Sequence, residues 1–179
     1  EMAALSLGYE LDGPPDFGIR AEPPAGLPAR YAAIMPSASR PTKLWPEDAW
    51  RTVLQRLAVA RYAPLVFAGT EEESARAQRL IQGIAGAQAL PRMGLADVAG
   101  VLAGAAVVVG LDSGLTHLAG ALGRPTIGIY ADYDPALAPV TGPAFTASLG
   151  GRGTPPSCEQ VLAALGQALP AEGATGAAR

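Results

Sequence analysis

The sequence predicts a doubly wound, parallel α/β sheet. Three observations carry that reading. Short apolar runs of strand length alternate with stretches striped at helical spacing from residue 31 to residue 169. The strongest run, Ala106-Val107-Val108-Val109-Gly110-Leu111, is apolar without alternation, as in a strand covered on both faces. That run passes directly through Asp112-Ser113-Gly114 into a helical stripe, so a strand hands over to a helix amino terminus.

The elements follow in order. Residues 1–30 read as a linker or arm, broken by Pro14-Pro15 and Pro23-Pro24. Residues 31–35 form a short buried strand that stops at Pro36. A helix starts at Pro46, where proline suits the first helical position and Glu47 and Asp48 complement the positive end of the dipole. Trp50, Val53, Leu54 and Leu57 mark its buried face. Residues 65–68 form a second strand, ended by Gly69, and Ala77, Leu80, Ile81 and Ile84 stripe the next helix. A short strand is expected over 87–90, followed by a helix carrying Leu95, Val98, Ala99 and Leu102. The 106–111 strand comes next, then a helix striped by Leu115, Leu118, Ala119 and Leu122 and closed by Gly123. Residues 125–130 form a further strand and 144–149 a weaker one. A last helix runs from about Pro156 with Val161, Leu162, Leu165 and Leu169 inward. The organisation is thus an arm over 1–30, one domain over 31–170 and a flexible tail over 171–179.

Composition narrows the function classes. A chain of 179 residues, 49% hydrophobic, can bury one proper core. Its net charge of -3 recruits no nucleic acid through a global basic field. One cysteine, Cys158, and one histidine, His117, make neither an internal disulfide nor a Cys/His metal cluster, so no metal is expected. These counts suit a reducing, cytoplasmic setting. No signal peptide is read in residues 1–30, and the longest uncharged apolar stretch, 98–111, is shorter than a membrane span needs. Because Met2 stands second, behind Glu1, the chain is expected to be a piece of a longer polypeptide.

Ligands of such sheets sit beyond the carboxyl ends of the strands. That rule selects the loops after Met35, Ala68, Leu111 and Tyr130. After Leu111, the free N–H groups and partial positive charge of a helix amino terminus attract phosphate. Gly114 admits the backbone to an oxyanion, Ser113 adds a hydroxyl, and His117 lies in the first helical turn. The plainer alternative is that Asp112 or Ser113 only caps the helix. After Met35, the loop 36–45 offers Ser37, Ser39, Arg40 and Lys43. A diphosphate leaving group gains charge as its bond breaks, so a fixed Lys43 favours the transition state. Arg40 reads as solvated and Trp45 as packing. After Ala68, Glu71 can accept bonds from both ribose hydroxyls, although acids suit a first helical turn anyway. G-x-G-x-x-G, the P-loop pattern and G-x-S-x-G are not found, which argues against a standard dehydrogenase, a P-loop NTPase and an α/β-hydrolase.

Lys43-Leu44-Trp45-Pro46, Asp112-Ser113-Gly114-Leu115-Thr116-His117-Leu118-Ala119 and Asp134-Pro135 together resemble the ADP-heptose:lipopolysaccharide heptosyltransferases of glycosyltransferase family 9. Leu90-Pro91-Arg92-Met93 and Leu102-Ala103-Gly104-Ala105 extend the likeness over roughly residues 30–165. The Arg-x-x-Lys-x-Trp-Pro form, from Arg40 to Pro46, is most similar to the heptosyltransferase I branch, which adds heptose to a Kdo residue of the lipopolysaccharide inner core. The resemblance implies the GT-B arrangement of two Rossmann-like domains, of which this chain resembles the carboxyl-terminal, donor-binding one. It implies ADP-heptose as donor, an inverting transfer without metal or cofactor, and a general base in the acceptor domain, outside this chain. Ser39 and Lys43 would contact the phosphates and the ribose side of the donor, and Glu71 would hold the ribose. Ser113 and Gly114 would bind phosphate, with Asp112 and His117 close to the diphosphate or the heptose. The acceptor implies contact with the cytoplasmic face of the inner membrane. One departure stands out. Relatives often read Gly-Pro-Thr before the Asp-Pro, whereas this chain reads Ala131-Asp132-Tyr133, an extra acid where sugar contacts are expected.

Two other functions fit the residues less well. A stand-alone nucleotide-sugar-binding module would bind without turnover. A GT-B-like sugar-nucleotide epimerase would need acid and base groups at the sugar, and the chain has a single histidine.

Overall fold

A computed structural model describes residues 16–169. The expected break at Pro14-Pro15 and the expected tail over 171–179 lie outside the described residues. Six parallel strands form one sheet in the order β3-β2-β1-β4-β5-β6, so the expected doubly wound fold is present. The strands are β1 (Tyr31–Met35), β2 (Ala63–Val66), β3 (Gln88–Ala89), β4 (Val107–Leu111), β5 (Thr126–Tyr130) and β6 (Thr146–Gly150). The helices are α1 (Glu47–Val59), α2 (Glu71–Ile81), α3 (Leu95–Gly104), α4 (Gly114–Ala121) and α5 (Cys158–Ala168).

Side chains along a strand alternate between faces, and the core divides accordingly. Ala32, Ile34, Val107, Val109, Ile127 and Ile129 face α1, α2 and α5, where Trp50, Leu54, Leu80 and Leu165 cover them. Tyr31, Ala33, Met35 and Val108 face the other way, beneath Val98, Val101 and Leu102 of α3 and Ala119 of α4. Both faces of the sheet are covered, which is why the 106–111 run shows no polar alternation. The segment 16–30 has no helix or strand. Its Glu22, Pro23 and Pro24 lie directly on Gly100 and Gly104 of α3, where no side chain keeps the backbones apart.

Several boundaries differ from the sequence reading. Pro46 is the residue before α1, not its first residue. Strand β2 begins two residues early at Ala63, because Tyr31 and Ala32 of β1 pair with Ala63 and Pro64. Phe67 and Ala68 remain buried beyond its end. Strand β3 shortens to two residues at the sheet edge, where it pairs only with β2. Ile84, assigned to the helix, lies beyond α2 but is still buried. The helix from Pro156 starts at Cys158, because Ser157 caps it in a reciprocal box with Gln160. Gly123 closes α4 as expected, with φ of 72° in the left-handed region.

Strands β1 and β4 are neighbours, and the chain leaves them toward opposite edges of the sheet. That reversal opens a crevice beyond their carboxyl ends, between the loop after β1 and the loop after β4.

Candidate functional site

A cleft of about 1000 Å³ occupies this crevice. The loop after β1 contributes Ser37, Ala38, Ser39 and Lys43. The loop after β4 and the start of α4 contribute Asp112, Ser113, Gly114 and Leu115. Gly69 and Glu73 close it on the β2 side, and Pro91, Arg92 and Met93 on the β3 side. Phe67, Leu95 and Val98 form its apolar end.

Lys43 reaches the cleft from a single 3-10 turn, Pro41–Lys43. The fixed φ of proline suits the start of that turn, and the Lys43 and Leu44 amides close it on the carbonyls of Arg40 and Pro41. The Lys43 Nζ donates to Asp112 Oδ2 at 2.7 Å and to the Asp112 carbonyl at 3.2 Å. Both side chains are largely shielded, at 17% and 15% exposure, so the pair is held rather than solvated. An ammonium has three N–H bonds. Asp112 takes two, and one remains for a ligand.

Beyond Asp112 the backbone turns into α4. Ser113 caps the helix, its Oγ accepting from the Thr116 amide. Thr116 is buried and donates its hydroxyl to the Leu111 carbonyl, which locks the helix start onto the strand end. Gly110 permits this closeness, because a Cβ there would collide with the Thr116 hydroxyl and with Met35. The Gly114 and Leu115 amides have no hydrogen-bond partner among the described residues. At Gly114 an added Cβ would meet no protein atom within 4 Å. The protein leaves that side of the turn open for a ligand. The turn is therefore a helix cap that also leaves two amino-terminal amides without partners among the described residues, an arrangement that suits an anion.

Of the residues singled out from sequence, Ser39, Lys43, Asp112, Ser113 and Gly114 meet at the cleft. His117 and Glu71 are not among its lining residues. Leu115 and Leu118, three apart on α4, share the cleft face, and His117 lies beside them on the next. Its Nε2 stands 3.5 Å from Asp112 Oδ1, the carboxylate oxygen that Lys43 does not use. Glu71 is exposed at the first position of α2. Glu73 lines the cleft instead, because the third residue of a capping box must fold back over the helix start. Its carboxylate accepts from the Gly69 amide at 2.6 Å and the Thr70 amide at 3.3 Å. Trp45 is packing, as read: it is 2% exposed, meets Trp50 edge to face and donates to the Pro156 carbonyl.

Three residues that the sequence reading named but gave no role also bear on the site. Arg92 follows β3, a strand too short to be recognised firmly, so its loop was not among those chosen. It faces the cleft and takes part in no ion pair among the described residues. The Ser37 Oγ is buried at the cleft wall without a hydrogen-bond partner among the described residues. Asp132, in the departing loop after β5, lines no part of the cleft and accepts instead from Thr42 and Arg40.

Comparison with known proteins places these features. The profile of glycosyltransferase family 9 (heptosyltransferase) matches residues 8–162. Lipopolysaccharide heptosyltransferase 1 of Escherichia coli K12 is 40% identical over 143 residues, 76% of this chain and 44% of the relative. The protein of the same name from Pseudomonas aeruginosa is 35% identical over 153 residues, covering 84% of this chain and 41% of the relative. The chain therefore spans less than half the length of the curated relatives it matches. Among solved structures, E. coli heptosyltransferase WaaC with ADP is similar at a TM-score of 0.74 and 33% identity, over 92% of this chain and 53% of that one. E. coli ADP-heptose lps heptosyltransferase II shares the fold at a TM-score of 0.67 and 21% identity, over 78% of this chain and 46% of that one.

Proposed function

This chain belongs to glycosyltransferase family 9, the heptosyltransferase family, and from that premise we propose that it is the donor-binding domain of an inverting heptosyltransferase. The domain runs over residues 31–170, preceded by the arm of residues 1–30, and forms the carboxyl-terminal half of a GT-B enzyme. Its donor is ADP-heptose, and the parent enzyme transfers the heptose to a Kdo or inner-core acceptor of lipopolysaccharide. Two solved structures similar to this chain, both of E. coli heptosyltransferase WaaC, were determined with ADP and with ADP-2-deoxy-2-fluoro heptose.

One observation carries the reading. Lys43 is fixed by Asp112 beside the open amino terminus of α4, so a cation and two free amides line one cleft. In the transfer, the acceptor hydroxyl oxygen attacks the anomeric carbon of the heptose from the face opposite ADP. The bond from that carbon to the β-phosphate oxygen breaks, and the oxygen leaves with the electron pair. The acceptor proton passes to a carboxylate of the other domain. What this chain supplies is the charge stabilisation. The Lys43 ammonium and the Gly114 and Leu115 amides meet the oxygen on which charge develops. They are preorganised, so they need not reorient during the reaction. Asp112 offsets part of the Lys43 charge but holds the ammonium in place, which leaves its third N–H and the two helix amides as the directed stabilisers. Ser39 and Ser113 supply hydroxyls to the phosphates, His117 stands behind Asp112 on the sugar side, and Glu71, exposed just outside the lined cleft, reaches in to the ribose.

Because the acceptor half and its base lie elsewhere, this chain alone binds donor and does not turn it over. No described helix is long and apolar enough to cross a membrane. Contact with the cytoplasmic face of the inner membrane is made through the lipid acceptor. The test is calorimetry with ADP. Binding is expected, and Lys43→Ala should weaken it. No heat at millimolar ADP from folded protein would remove the donor-site reading. Measurable heptose transfer to a Kdo-lipid by this chain alone would overturn the assignment of the base to another domain.

A further inference from the structure

The turn that carries Lys43 buries none of its residues. Packing therefore does not hold it, yet its lysine must stay within hydrogen-bond reach of one carboxylate. The restraint comes from the loop after β5. The Thr42 hydroxyl donates to Asp132 Oδ2 at 2.9 Å, and the Arg40 guanidinium stands 3.4 Å from the same oxygen. These two residues flank Pro41, and Thr42 immediately precedes Lys43.

Asp132 is itself on firm ground. Ala131 beside it is buried, and its carbonyl accepts from the Gly153 amide at 2.8 Å. Tyr130, the last residue of β5, is fully buried and donates its hydroxyl to the Ala138 carbonyl, tying down the far end of the loop. The turn thus hangs between two carboxylates at the ends of adjacent strands, Asp112 after β4 and Asp132 after β5.

We propose that Asp132 is a positioning residue: it clamps the 40–42 segment so that the next residue, Lys43, presents its ammonium to the donor's diphosphate. The inference rests on the donor-site reading above. It also gives the loop over 131–133 a function other than contact with the sugar. The carboxylate is shared with Arg40, so an acid close to a diphosphate site adds little repulsion.

A double-mutant cycle on ADP binding tests the clamp. Asp132→Ala should weaken ADP roughly fivefold or more in the otherwise natural chain, and by less than about twofold in a Lys43→Ala background. Asp132→Asn, which still accepts from Thr42, should restore most of the affinity. Equal weakening in both backgrounds, or none in the natural one, overturns the proposal. A second measurement needs no ligand. Hydrogen exchange at the Lys43 and Leu44 amides, which close the turn, should quicken several-fold in Asp132→Ala while the β1 amides stay unchanged. Unchanged exchange at the turn also overturns it. If the natural chain binds no ADP but the exchange responds, the donor-site reading fails and the clamp stands. Should Asp132→Ala not fold, Thr42→Val removes the same hydrogen bond from the other side and carries the same expectations.

Discussion

The Lys43 ammonium lies 2.7 Å from Asp112 Oδ2, joining the loop after β1 to the loop after β4 across the point where strand order reverses. The two residues are 69 positions apart in the chain. Only the pairing of β1 with β4 brings them together. The ion pair aims the cation and at the same time neutralises the acid nearest the anion site.

Lys43→Ala should therefore act twice. It removes the cation from the site, and ADP affinity measured by calorimetry should fall at least about tenfold, the order expected for a lost charge-assisted contact. It also leaves the Asp112 carboxylate shielded and without its main partner. The unliganded protein should lose about 1–3 kcal/mol of stability in denaturant titration. Lys43→Ala combined with Asp112→Ala should recover part of that stability but none of the affinity.

Ser37→Ala should behave in the opposite sense. The hydroxyl is buried without a partner among the described residues, so deleting it removes an unsatisfied polar group. Unliganded stability should hold or rise, by up to about 1 kcal/mol. A lower melting temperature without ligand would mean that the hydroxyl is satisfied in solution.

Gly110→Ala probes the seat of α4. The new methyl would collide with the Thr116 hydroxyl and with Met35. Thr116 is buried and tied to the Leu111 carbonyl, so it cannot give way, whereas the end of Met35 can shift toward the cleft. A cost of about 1–3 kcal/mol is expected. ADP affinity should fall with it, since the displaced element is the helix start that carries the free amides.

Acid titration should single out Glu47. The hydrogen bond from Arg79 holds its carboxyl below the ordinary value of 4.5, with burial opposing and the charges of Arg79 and Arg76 adding to the effect. A carboxyl lowered on folding contributes stability that is complete above its unfolded value. That contribution is lost as pH falls through the folded value. The side chain is 40% exposed, so screening keeps the contribution well under about 1 kcal/mol. The melting-temperature difference between the natural chain and Glu47→Gln should be constant near neutrality and vanish in acid. High salt should shrink it. A gap that persists below the folded value would assign the effect to packing instead.

The local patterns were legible because each rests on neighbouring residues. Strand and helix faces follow from periods of two and 3.6. The predicted cores of α1 and β4 match the buried residues Trp50, Val53, Leu54 and Leu57 and the run from Val107 to Leu111. The glycine closing α4 and the open turn after β4 were equally readable, because a strand meeting a helix start is a local event. Lys43, Asp112, Ser113 and Gly114 could be chosen on that basis alone, together with a short motif.

Tertiary structure decided which of the chosen residues share a space and which groups already have partners. Sequence spacing could not distinguish Glu71 from Glu73 at the cleft. The difference arises because the capping box folds Glu73 back onto the Gly69 and Thr70 amides. His117 lies one turn into α4, yet the rotation of the helix on β4 turns Leu115 and Leu118 to the cleft and leaves His117 beside Asp112. Asp132 looked like an extra acid near the sugar, and the sheet order places it instead against Thr42, 90 positions earlier. Periodicity and turn chemistry determined the elements and the loops that face the crevice. The contacts across the crevice depend on strand order and helix rotation, which are set by packing of the whole core and are written in no single stretch of the chain.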